Sequence, residues 1–277
     1  MSKNVDLRCT DKKLLEAAAE LAPALGLRFT SRGVPVEVKT GDELSLRKSG
    51  EGFVLTYRKK NEFFRGLSLL GAAVAEGREH VETGKYDMLC YMADVSRNAV
   101  LNMNGAKEMI RILAAMGYDS LMLYSEDTYE VPEYPYFGRM RGRYSAEELR
   151  EIDDYADMFG IEVIPCMQTL AHLATALRWP GLNSIVDCND IMLVGDERTY
   201  TFVRACLTTC RKIFRSKRIN IGMDEAHMLG RGRYLTKNGY RPAHEIMLEH
   251  LDRVAAICAE IGYEPMMWSD MFFRMAF

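Results

Sequence analysis

The segment Arg218-Ile-Asn-Ile-Gly-Met-Asp-Glu-Ala-His227 sets two adjacent carboxylates, Asp224 and Glu225, directly behind a short apolar run. Such a pair can divide acid–base labour. One carboxyl keeps its proton for a leaving oxygen, and the other stays ionised to orient or stabilise a substrate. The last four letters also spell the DEAH box of a helicase class. That chemistry needs a phosphate-cradling GxxxxGK[ST] loop, which the sequence lacks. Metal ligation by Asp224, Glu225 and His227 conflicts with the alternation of neighbouring side chains on an extended chain, so no metal is expected. More polar groups follow other apolar runs: Asp94 and Arg97, Glu126 and Asp127, Gln168 and His172, Trp268, Ser269 and Asp270.

These groups need a scaffold that delivers them to one place. From Tyr86 onward the pattern alternates strand and helix. Strands are predicted at Met88–Ala93, Ser120–Tyr124, Ile161–Cys166, Ile219–Met223 and Pro265–Trp268. Helices are predicted at Gly105–Met116, Ala146–Phe159, Thr199–Phe214 and Ala243–Ile261, with Ser145 and Glu148 at capping-box spacing. Apolar strands alternating with amphipathic helices imply a parallel sheet with helical cover, and a (β/α) barrel carries its site at the carboxyl ends of the strands. Residues 1–83 have a different texture: a helix over Lys12–Leu25, short strands at Val34–Lys39, Glu43–Lys48 and Gly52–Arg58, and a helix over Asn61–Glu76. The fold class is therefore α/β. A small α/β accessory domain (1–83) precedes a (β/α)8-type TIM barrel (84–277), of which five strands are present.

With 36 Lys and Arg against 39 Asp and Glu, the net charge of −3 argues against a generic nucleic-acid binder. Tyr129, Tyr134, Tyr136, Phe137 and Tyr144 interleave with Arg139, Arg141 and Arg143, a texture that suits base stacking. In an acidic chain it reads instead as a folded rim loop. No apolar run approaches the roughly 18 residues of a membrane span, so no membrane partner is expected. The N-terminus shows no signal-peptide pattern, and the seven cysteines form no CxxC pair. Reduced thiols and a cytoplasmic location follow as expectations. His80, His244 and His250 carry no site assignment.

IGMDEAH behind a strand resembles the catalytic signature of glycoside hydrolase family 20, the β-N-acetylhexosaminidases. Asp94-Val-Ser-Arg97 looks like that family's D-x-s-R, whose Arg grips sugar hydroxyls. Gln168-Thr-Leu-Ala-His172 takes the place of its His-bearing loop, and Trp268-Ser-Asp270 looks like the first wall of its aromatic sugar box. The wording around these motifs is similar to the bacterial branch that acts on N-acetylglucosamine or glucosamine.

The resemblance implies an exo-acting β-N-acetylhexosaminidase on terminal β-linked N-acetylglucosamine or a related amino sugar, in an oligosaccharide or glycoconjugate. The substrate's own 2-acetamido oxygen would attack the anomeric carbon, an exception to the two-carboxylate scheme. Glu225 would be the general acid and then base, with a raised pKa; Asp224 would stay ionised and hold the acetamido N–H. Arg97, His172, Trp268, Glu126, Asp127 and Asp270 would contact or tune the substrate site, and no cofactor is needed. Five strands fall short of the eight that close a barrel. A truncated chain is thus expected, as an open partial barrel whose first and fifth strands need a partner, further sequence or self-association. The rival readings are an inactive fragment or sugar-binding remnant, and a barrel glycosidase of another family.

Overall fold

A computed structural model describes residues 2–274. It comprises two compact units. One takes the stretch up to Tyr91 with Asn102–Leu121 and Asp154–Glu162; the other takes Met92–Leu101, Met122–Asp153 and the chain from Val163.

The first unit opens with β1 (Lys3–Arg8), α1 (Lys12–Leu21), β2 (Leu27–Phe29), β3 (Val34–Thr40), β4 (Leu44–Ser49), β5 (Gly52–Tyr57), α2 (Lys60–Glu76) and β6 (His80–Glu82). Its mixed six-stranded sheet has the order β2-β1-β3-β5-β4-β6. β1 runs parallel to β2 and β3, and β4 pairs antiparallel with β5 and β6. The α1 helix starts where Asp11 accepts the Leu14 N–H at 3.1 Å, an N-cap that satisfies one orphan donor. It ends at Leu21, and turns carry the chain to Gly26, short of the expected Leu25. The core is apolar: Val5, Leu21, Val36, Leu46, Leu55, Phe63, Phe64, Leu67 and Leu70 are buried. Phe64 meets Phe63 and Phe159 edge to face, both at 5.0 Å. Burial of each such side chain contributes about 1.5–3 kcal/mol. Strands β1, β2 and β6 were not expected from the sequence. In β1 the apolar alternation is confined to Val5 and Leu7, of which only Val5 is buried, a run too short to mark a strand.

The chain continues through β7 (Cys90–Asp94), α3 (Met103–Met116), β8 (Ser120–Ser125), α4 (Ala146–Met158) and β9 (Glu162–Met167). Next come α5 (Ala174–Leu177), a 3-10 turn (Pro180–Ile185), the hairpin β10 (Val186–Cys188) and β11 (Ile191–Met192), and α6 (Glu197–Ile213). The last elements are β12 (Arg218–Asn220), α7 (Arg233–Asn238), α8 (Ala243–Ile261), β13 (Glu264–Met266) and α9 (Asp270–Arg274). The five expected strands form one sheet in the order β7-β8-β9-β12-β13, with β12 parallel to both of its neighbours. The sheet is open: among the described residues no pairing joins β7 to β13, so no closed barrel is present. The capping box appears as read, with Ser145 N–H on Glu148 at 2.9 Å and Glu148 N–H on Ser145 Oγ at 3.1 Å. Two strands end early. β12 stops at Asn220 instead of Met223 because Gly222 and Met223 turn to φ +72° and +69°. β13 stops at Met266 instead of Trp268.

Candidate active site

The turn after β12 aims the carboxylates. Gly222, Met223 and Glu225 are all left-handed, Glu225 at φ +51°, a conformation that costs a non-glycine residue about 1–3 kcal/mol and persists only where surroundings impose it. Gly222 is required twice: by its φ, and because a Cβ would collide with Gln168 Oε1 and the Met167 carbonyl. The surroundings that impose the turn are visible. Trp268 N–H donates to Gly222 O at 3.2 Å, Ile221 N–H to Met266 O at 2.8 Å, and Glu225 N–H to Asp270 Oδ2 at 3.4 Å. Asp224, Glu225, Trp268, Ser269 and Asp270 line an open cleft of about 350 Å³, within the roughly 300–1,000 Å³ of small-molecule sites. The Glu225 side chain is half exposed there, whereas that of Asp224 is only 17% exposed.

Asp224 is held from two sides. Gln168 Nε2 donates to Oδ1 at 2.8 Å, and His172 Nε2 lies 3.2 Å from Oδ2. The imidazole approaches off its N–H axis, so that contact is one of charge more than a directed hydrogen bond. The same nitrogen stands 3.6 Å from Glu225 Oε2. Burial pushes the Asp224 carboxyl up, but His172 and Gln168 outweigh it and hold the group below its ordinary value, ionised. In turn the Asp224 carboxylate lifts the His172 pKa against burial. His172 itself sits at φ +57°, with its N–H on Asp190 Oδ2 at 3.1 Å.

The network continues through a residue that was not expected, Tyr124. Its hydroxyl accepts from Gln168 Nε2 at 3.0 Å and from Arg97 Nη2 at 2.9 Å, and donates to Glu126 Oε1 at 3.2 Å. Burial drives its phenol pKa up, so it serves as a neutral hub. Arg97 covers the Tyr124 ring at 4.7 Å and stands 3.3 Å from Glu126 and 3.5 Å from Asp94. Burial works against its charge, but Tyr124, Glu126 and Asp94 sustain it. The Glu126 carboxyl is raised by burial, which Arg97 offsets only in part. One connected set thus runs Arg97–Tyr124–Gln168–Asp224–His172, with Glu126 and Glu225 attached.

Asp127 stands apart. It is fully buried, and Arg141 Nε donates to its Oδ1 at 2.9 Å while Arg141 Nη2 reaches the Ser96 carbonyl at 2.6 Å. It pins the loop that follows β8. That loop is folded, as expected: Tyr129, Phe137 and Tyr144 are buried, and Arg143 donates to the Pro135 and Phe137 carbonyls.

Two buried groups behind the site were also missed. His250 Nε2 lies 2.8 Å from the Thr169 carbonyl, so it carries the proton and clamps the Gln168–His172 loop. Burial lowers its pKa to about 4, keeping the ring neutral. Asp187 accepts the N–H groups of Gly230 (3.0 Å) and Tyr234 (2.7 Å), anchoring the segment that follows Glu225. The available signal for Tyr124 is parity: two residues before Glu126 on a strand, it shares that residue's face. His250 and Asp187 carry no such mark, because their partners are backbone groups 81 and 43 residues away.

Asp224 and Glu225 thus stand together behind β12, with Gln168 and His172 on Asp224 and Arg97 linked to that pair through Tyr124 and Gln168. The chain belongs to glycosyl hydrolase family 20: the model of that family's catalytic domain matches residues 90–276. Hexosaminidase D of Bos taurus is 24% identical over 174 residues, covering 59% of this chain and 50% of that protein. The β-N-acetylhexosaminidase of Streptomyces coelicolor A3(2) superposes with a TM-score of 0.75 at 22% identity, over 98% of this chain and 62% of that one. The exo β-N-acetylglucosaminidase of Vibrio harveyi, solved with N-acetylglucosamine, gives 0.78 at 14% identity over 98% and 52%. The chain spans about half the length of the Bos taurus relative.

Proposed function

We propose that the protein is an exo-acting β-N-acetylhexosaminidase that removes a terminal β-linked N-acetylglucosamine or related amino sugar by substrate-assisted, retaining catalysis. The observation that carries this reading is the unequal treatment of two adjacent carboxylates. Asp224 is fixed and ionised by Gln168 and His172, while Glu225 is left open to the cleft. In the proposed reaction Glu225 gives its proton to the glycosidic oxygen as the 2-acetamido oxygen closes on the anomeric carbon. Asp224 accepts the acetamido N–H and stabilises the positive charge that develops on the oxazolinium ion. Glu225 then takes a proton from the water that opens this ion. Arg97, half exposed and oriented by Tyr124 and Glu126, presents donors to sugar hydroxyls, and Trp268 offers a flat wall. Asp270 acts through the Glu225 amide.

The strand order supports assigning β7, β8, β9, β12 and β13 as the first five strands of a (β/α)8 barrel, with residues 1–83 as an accessory domain. Release of nitrophenol from a chromogenic N-acetyl-β-glucosaminide tests the reading, with the matching glucoside as control. The acetamido sugar should be cleaved and the glucoside left intact. Comparable cleavage of both would overturn the substrate-assisted step.

A further inference from the structure

The loop that follows β8 keeps most of its aromatic and cationic side chains for itself, but not all. Tyr129, Phe137 and Tyr144 are buried, and Arg141 and Arg143 are bonded within the protein. Tyr136, 49% exposed, and Arg139 remain on the surface. They are joined by the next rim loop, which follows β9. The Tyr136 and Trp179 rings lie 5.4 Å apart at a 40° tilt. Arg139 Cζ sits 5.0 Å over the Tyr136 ring and Arg178 Cζ 4.9 Å over the Trp179 ring. The result is an Arg139–Tyr136–Trp179–Arg178 stack at the surface. Among the described residues neither guanidinium has a carboxylate partner. The other five cation–ring contacts supply the contrast. Arg97, Arg211 and Arg253 are each also hydrogen-bonded elsewhere within the protein, Lys107 has a further interaction of its own, and Arg231 and Tyr240, on either side of α7, have no second ring.

A guanidinium held over a ring and free of a carboxylate partner keeps its N–H fork open, the form that matches a planar or tetrahedral oxyanion. Two such forks, held by one aromatic pair, would recognise a ligand with negative charge and apolar ring faces. The stack springs from the same strand ends that carry Glu126 and Gln168. Gly138, between Tyr136 and Arg139, packs its backbone against the carbonyl of Asp127, the neighbour of Glu126. We propose that this stack binds saccharides bearing an anionic substituent, a carboxylate or a sulfate. The choice of a saccharide over another polyanion rests on the glycosidase reading.

Isothermal calorimetry on the protein carrying Glu225→Gln tests the proposal without requiring turnover. The probes are neutral chitobiose, its 6-O-sulfated form, a disaccharide of N-acetylglucosamine and glucuronic acid, and oligothymidylate. At least one anionic disaccharide should bind about tenfold tighter than chitobiose, with affinity falling as salt rises. Arg139→Ala with Arg178→Ala should abolish that preference and leave chitobiose binding unchanged. Replacement of both by Lys, which keeps charge but loses the fork, should restore only part of it. The sulfated and carboxylated arms show which oxyanion is preferred. Equal affinity for all three disaccharides, or an anionic preference that survives the Ala variants, overturns the proposal. Oligothymidylate binding tighter than every saccharide, and lost in the Ala variants, replaces it with a nucleic-acid surface. Failure of the glycosidase reading is read separately, from neutral chromogenic glycoside hydrolysis by the unaltered protein.

Discussion

The two compact units handle polar groups and backbone strain in opposite ways. In the first, the buried polar side chains among the described residues are Ser45, Asn61 and Ser120, all uncharged. Its left-handed residues are all glycines, such as Gly50 in the β4–β5 turn and Gly77 at the end of α2. In the second, Asp127, Asp153, Asp187, Asp196 and His250 are buried, and all five left-handed non-glycine residues are found there: Met140, His172, Asn189, Met223 and Glu225. Strained backbone and buried charge both cost stability, and both serve to hold side chains where relaxed chain would not place them. The first unit is built for folding, and the second carries the expense of a site.

That contrast can be tested from its strongest consequence down. Glu225→Gln should lower turnover by about 10²–10⁴-fold, the usual weight of a general acid, while the thermal midpoint stays put. Retained turnover would remove Glu225 from the acid role. Phe64→Ala in the first unit should do the reverse. Loss of a fully buried ring costs about 3–5 kcal/mol in denaturant titration, with little change in turnover per folded molecule. A large loss of turnover at full folding would show that the site depends on that core.

His172 and His250, both in the second unit, give opposite pH signatures. An unfolded imidazole protonates near pH 6.5 and folded His250 only near 4, so the unfolded state binds more protons between these values. Stability should fall by about 3 kcal/mol as pH drops through that window. A His250→Gln variant should flatten the curve, and an unchanged curve would remove His250 as its source. His172 is raised by Asp224. Its smaller contribution is full below the ordinary imidazole value and fades as pH rises through the elevated one. The smallest effect should come from Glu225→Gly, which relieves the left-handed strain and should raise stability by about 1 kcal/mol while removing activity. A loss of stability instead would show that the Glu225 side chain supports the turn.

Much of this was legible in residue order. The five strands and four long helices of the sheet region fall within a few residues of their expected places, because periods of two and 3.6 are local properties of the chain. The capping box of α4 was visible for the same reason. Misjudged boundaries have physical causes as well: β12 looked longer because Ile221 and Met223 are apolar and buried, while the turn at Gly222 had already bent the backbone.

The sequence by itself determined that carboxylates, an Arg, a His and a Trp follow successive strands, and that parallel strands bring such residues to one rim. It did not determine what each would touch there. Only the tertiary structure made Tyr124 a hub, buried Asp127 on Arg141, put His250 behind the His172 loop and seated Arg139 and Arg178 on a ring pair. Periodicity is set by neighbours along the chain. A hydrogen bond or a ring stack is set by which distant segments the sheet brings within a few ångströms.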